Sequence, residues 1–284
     1  MTAIIYLVGR AIRRFGLPTL VAMLPALVYA QPTVEDQLVK ALTTNSSGEL
    51  VVLRDTGLFT IKGGASTRIP LPMNNPQAHA STLAKGADSS VYLGGPGMGV
   101  WRYDSAGERW QSLNKTLPSL DVTAIAAHAT QPATLYAYYL DKGMFRSIDG
   151  GDEWVKVDNG PREPVQAFLH SDMPGSMESG WLFAGTTRGV SRSMDCFCLW
   201  GDAGDLRGTV SAISYDPAAP VNVYAVIDGA IYHSADGGQN WTSLQVPQTV
   251  TAVVFSPILG LVVGTATGNL LFLNAAREWV RIDE

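Results

Sequence analysis

Charge is scarce in this chain of 284 residues. Asp, Glu, Lys and Arg make up 16% of it, and the net charge is −5. Basic runs are absent, so no electrostatic footprint for nucleic acid or an anionic bilayer is present. Cysteine is reduced to two residues, Cys196 and Cys198, too few for the framework of a small disulfide-stapled scaffold. No C-x-x-C-H occurs, which excludes covalently attached haem of the c type. No apolar run reaches the ~20 residues of a membrane span. Beyond residue 37 no segment keeps a helical period. The chain has no nucleophile elbow, no H-E-x-x-H, no P-loop and no dinucleotide fingerprint. The glycine-rich stretch 94–99 joins two strands and has no following helix to seat a phosphate. The four histidines, His79, His128, His170 and His233, are scattered. His128 aligns with Asp216 and reads as a turn-capping side chain.

What the chain has is a repeat. SIDGGDEW at 147–154 recurs as SADGGQNW at 234–241. SMDCFCLW (193–200), YDSAGERW (103–110) and FLNAAREW (272–279) are partial copies, with Asn274 in place of the aspartate in the last. Arg68 holds the tryptophan position in a sixth, decayed copy. The anchors fall at 68, 110, 154, 200, 241 and 279. A period of ~40–50 residues is that of a four-stranded propeller blade. Each unit opens on an apolar strand, such as VSAISY, continues through a second such as NVYAVI and a third such as AIYHS, and ends on a strand after the tryptophan. Short apolar runs bounded by Gly, Pro, Asn and Asp are strand signals. The expectation is an all-β chain: one six-bladed β-propeller of four-stranded blades over 31–284, with no strand exchanged between the first and last blades.

The motif has a physical reason. Ser147, Asp149, Gly151 and Trp154 form one copy, and Ser234, Asp236, Gly238 and Trp241 another; Ser193, Asp195 and Trp200 keep part of a third. An aspartate opening a tight turn accepts backbone N–H groups. Paired glycines supply the left-handed conformations the turn needs. The tryptophan then covers apolar surface. This reading makes the set structural, holding a hairpin together, with no catalytic residues.

S-x-D-x-G-x-x-W resembles the Asp-box, or bacterial neuraminidase repeat. That repeat occurs in sialidases, in sortilin-type receptor ectodomains and in the photosystem II stability/assembly factor family. The resemblance spans about 37–284 and implies the propeller fold. It is nearly silent on activity, because one fold hosts many functions. A sialidase would need an arginine cluster, a Tyr–Glu pair and an Asp acid. Thr67-Arg68-Ile69-Pro70 is close to that family's Phe-Arg-Ile-Pro signature but sits where the repeat places a fourth strand. Arg102, Arg146 and Arg192 recur once per blade, as structural positions do.

Residues 1–30 read as a signal peptide. Arg10, Arg13 and Arg14 precede the apolar stretch 17–30, and Val28 and Ala30 fit a cleavage site near Ala30. An uncleaved anchor is the alternative. Either way the propeller is expected outside the cytoplasm, periplasmic or extracellular.

The two cysteines lie inside this copy of the motif, where the other copies carry Gly-Gly-x or Ala-Gly-x. In an extended chain Met194, Cys196 and Cys198 share a face. The loop between the first two strands of the same blade adds His170, Met173 and Met177. Soft sulfur ligands suit copper or zinc. The competing readings are a disulfide or redox-active pair, or incidental thiols. The leading functional expectation is an exported, non-enzymatic propeller that binds protein partners as a scaffold or as an assembly or maturation factor. It would meet no nucleic acid, and a membrane only through a partner or the N-terminal segment. A sialidase-like glycosidase and soft-metal or thiol handling are the alternatives.

Overall fold

A computed structural model describes residues 38–72, 77–105, 108–197 and 199–282. The expected signal segment, residues 1–30, and Cys198 lie outside them. The described residues form 24 strands and no helix. They make six four-stranded antiparallel sheets, each in simple sequential order. The blades span 39–69, 82–112, 124–158, 165–202, 210–244 and 250–282. All four strands of the first and last blades come from contiguous chain, so no strand is exchanged. Among the described residues no helix is long and apolar enough to cross a membrane.

Burial grades across each blade. The second strands are the most buried, and two of them, Val91–Gly95 and Leu135–Tyr139, are buried at every residue. The fourth strands, such as Ala65–Ile69, are largely exposed. A strand buried on both faces reads as a continuous apolar run, and an outer strand does not.

The core is divided into six clusters, each between neighbouring blades. Tyr92 and Val100 of the second blade pack on Ile125 and Leu135 of the third. Val39 and Leu42 of the first pack on Ala252 and Val262 of the last, which closes the ring. Thr251 Oγ1 also donates to the Val39 carbonyl at 2.7 Å across that seam. Close approach requires glycine at two of these contacts. A Cβ on Gly185 would strike Val210, and one on Gly264 would strike Val39.

The repeated motif ties blades together as well as closing a hairpin. Ser147 Oγ donates to Asp149 at 2.7 Å and accepts from Gly151 N at 2.8 Å, and Asp149 also accepts from Glu153 N. Ser234, Asp236 and Gly238 repeat this geometry, and Asn274 accepts from Glu278 N in the last blade. The tryptophan indole then donates to a carbonyl of the preceding blade or the chain just after it. Trp110 reaches Pro70, Trp154 reaches Leu113, Trp241 reaches Ala203 and Trp279 reaches Gln245, at 2.7–2.9 Å. The sequence reading placed the tryptophan within its own hairpin; the structure makes it a clasp between blades.

Candidate functional site

In five blades the first turn is capped by a side chain at one position. Asn45, His128, Ser171, Asp216 and Ser256 each accept the N–H two residues on. His128 does this with Nδ1, which also accepts from Gln131 N at 3.1 Å. Its other nitrogen, Nε2, is therefore the protonated one. It meets Ser179 Oγ of the fourth blade at 2.8 Å. A turn cap here doubles as a bridge between blades.

Asp195 is the other half of the bridge. By sequence it is the motif aspartate of the fourth blade, but Cys196 and Phe197 replace the two glycines. Phe197 takes the left-handed conformation itself, with φ 58°. Ser193 Oγ donates to the Met194 carbonyl, in place of the serine-to-aspartate bond of the complete motifs. Asp195 is 2% exposed. It accepts from Ser179 N at 3.1 Å, from Ser179 Oγ at 2.5 Å and from His170 Nε2 at 3.4 Å. His170 Nδ1 in turn accepts from Ala129 N. The two imidazoles stack with ring centroids 3.7 Å apart, and Tyr136 lies parallel to His170 at 5.9 Å.

The electrostatics follow from burial and these bonds. Burial lowers the pKa of His128, against the attraction of Asp195. Burial and the neighbouring His128 lower that of His170 to about 4. Burial alone would raise the Asp195 carboxyl, but hydrogen bonds from Ser179 and His170 together outweigh it and hold it low. The set is a carboxylate surrounded by neutral donors.

His128, His170 and Asp195 bring possible ligand atoms within 4.8 Å of one another. The donor set nevertheless does not suit a metal. A histidine that ligates through one nitrogen donates a proton from the other. Here both Nδ1 atoms already accept backbone N–H groups, so neither can donate. Nor is Ser179 an activated nucleophile. Its proton goes to Asp195, and the nearest imidazole faces it with an N–H instead of a lone pair.

His170 also borders a cavity. At the central axis, the ends of the first strands and the turns after them enclose about 560 Å³. The walls are mainly apolar, with Leu42, Leu83, Phe168, Ile213 and Phe255 among them, and Lys85, His170, Tyr215 and Asp216 supply the titratable groups. By the antiparallel order, the turns between third and fourth strands lie on the same face of the ring. That face carries exposed Ile148, Met177 and Leu199, the last 79% exposed.

The sulfur residues expected from sequence are dispersed. Met173 is buried in the core shared with the fifth blade, and Met177 stands 71% exposed. Met194 ends a third strand opposite Trp181. Cys196 is disulfide-bonded and carries no free thiolate. Asp149 and Asp236, with Ser147, Gly151, Trp154, Ser234, Gly238 and Trp241, occupy the turn geometry described above. Trp200 departs from its counterparts by donating to Asp158 Oδ1. Two of the recurring arginines are engaged: Arg102 pairs with Asp88, and Arg192 lies over Trp181 and donates to the Gly237 carbonyl. Sequence reasoning missed Ser179, Lys85 and the partnership of His128 with His170. One signal was available: an imidazole stood where other blades use a small polar cap.

Solved structures share the architecture. U3-55K superposes with a TM-score of 0.60 at 12% identity, over 86% of this chain and 80% of its own. The GH74 enzyme of Niastella koreensis gives 0.59 at 12%, over 86% of this chain and 54% of the enzyme. YCF48 bound to D1 peptide gives 0.53 at 15%, over 75% and 71%. The chain spans about a third of the extracellular domain of BT4673 from B. thetaiotaomicron, which it also matches. No family model matches this chain, and no curated protein matches it in sequence. The likeness concerns the propeller fold. At these identities the likeness establishes the fold alone.

Proposed function

We propose that this protein is an exported, non-enzymatic Asp-box propeller that docks a segment of a protein partner over its central cavity, as a binding scaffold or assembly factor. The carrying observation is the first-turn face of the ring. A cavity of about 560 Å³ opens there, and large apolar side chains stand exposed on the same face. Burial of such side chains would add apolar contact area to a docked segment. YCF48, a structural neighbour of this chain, is known with a bound peptide. Glycoside hydrolysis draws on two carboxyl groups, and among the residues lining the cavity only Asp216 has one. Export is supported by the composition of residues 1–30 and by a disulfide at Cys196, a bond favoured in oxidising compartments.

The test is quantitative co-purification from the source cell. Ala87 and Ala218 are exposed residues that line the cavity. Ala87→Trp and Ala218→Trp should each deplete a specific partner at unchanged melting temperature. Full retention of every partner by both variants would remove the cavity from the account.

A further inference from the structure

We propose that the docked segment carries an acidic side chain flanked by apolar residues, and that Lys85 anchors its carboxylate inside the central cavity. This rests on the docking reading above and specifies its ligand chemistry.

Lys85 closes the first strand of the second blade, Thr82–Lys85, and lines the cavity. It is the one lysine or arginine among the lining residues. An ammonium group has three donors. One goes to Thr44 Oγ1 of the first blade at 3.1 Å, and no carboxylate among the described residues pairs with it. The carboxylates nearby are committed elsewhere. Asp216 caps its own turn through Ala218 N, and Asp88 is held by Arg102. Burial lowers the Lys85 pKa with nothing in the protein to oppose it. A half-buried, unpaired cation in an apolar chamber carries a desolvation cost that an incoming anion relieves. The walls decide which anion. Leu42, Leu83, Phe168, Ile213 and Phe255 offer apolar contact. A phosphate dianion calls for several charged donors, usually arginine. A single carboxylate between apolar groups matches one ammonium and one hydroxyl.

The experiment uses the whole mature protein and three probes: the capped peptides acetyl-Leu-Glu-Leu-amide and acetyl-Leu-Gln-Leu-amide, and octanoate. Binding is followed by amide chemical-shift changes at Ala126, Phe168 and Ile213. The Glu peptide should bind about tenfold more tightly than its Gln twin, as fits loss of a charge-assisted hydrogen bond. The preference should vanish in Lys85→Met, whose melting temperature should hold or rise because a desolvated charge is gone. Equal binding of both peptides at the cavity would overturn the carboxylate anchor and leave docking standing. Octanoate binding without either peptide would overturn the peptide source. No shifts with any probe would overturn the anchor; the docking reading would then stand or fall on the partner depletion by Ala87→Trp and Ala218→Trp.

Discussion

The indole Nε1 of Trp154 donates to the carbonyl of Leu113 at 2.9 Å, from one blade to the chain that ends the previous one. Trp154 is 5% exposed and packs in the core that the second and third blades share. A substitution here therefore opens a seam of the ring.

Trp154→Ala is expected to cost about 3–5 kcal/mol, the range for deleting a large buried aromatic. Trp154→Phe keeps most of the packing but strands the Leu113 carbonyl, at about 1–3 kcal/mol. Urea unfolding measures both. An unchanged stability in Trp154→Phe would mean that the clasp bond contributes nothing beyond the packing of the ring.

Asp149 and Asp195 occupy one position of the repeat and do different work. Asp149 is exposed and serves its own turn, whereas Asp195 is buried and holds Ser179 and His170. Asp195→Ala should destabilise by about 3 kcal/mol or more, because several buried donors lose their acceptor. Asp149→Ala should cost clearly less in the same assay. The reverse order would refute the bridging role.

The parts of this structure that repeat were legible in sequence, because each blade obeys the same local rules. GMFRS and AIYHS become the third strands Gly143–Ser147 and Ala230–Ser234. Six blades followed from six anchors even with Arg68 in place of a tryptophan. The cross-blade chemistry was not legible. His128 and Asp195 lie 67 positions apart in the chain, and only the closed ring sets them 3.7 Å apart. A local reading of Met-x-Cys-x-Cys gathered sulfurs on one extended face. The chain there is a turn instead, with Phe197 left-handed. Lys85 gave no pattern at all, since its meaning comes from what five other blades place around the axis.

Stability should fall in mild acid. His170 binds its proton only near pH 4 when folded, against about 6.5 when unfolded. The unfolded state therefore takes up protons first as pH drops. The contribution is fully present above about 6.5 and is lost as pH falls from there to about 4. The loss is about 3 kcal/mol for this residue. Asp195, also held low, removes more below its ordinary carboxylate range. Urea midpoints at pH 7.5 and 4.5 should differ accordingly, and His170→Phe should flatten the slope. An imidazole of His170 titrating near 6.5 by NMR would contradict the assignment of its Nδ1 as an acceptor.

Cys196 is bonded, and no free cysteine is found among the described residues. Alkylation of the denatured, unreduced protein should label no thiol, and prior reduction should expose two. Two labelled thiols without reduction would return the fourth blade to the free-thiol alternative.

The docking face is tested most directly by site-specific photocrosslinking in the source cell. A photoreactive phenylalanine analogue is placed at Ala218 or Ala87, beside the cavity, and at Leu140, which is exposed in a turn on the opposite face. The account predicts one discrete protein adduct from the two cavity positions and none from Leu140. Adducts from Leu140 alone, or equally from both faces, would contradict it.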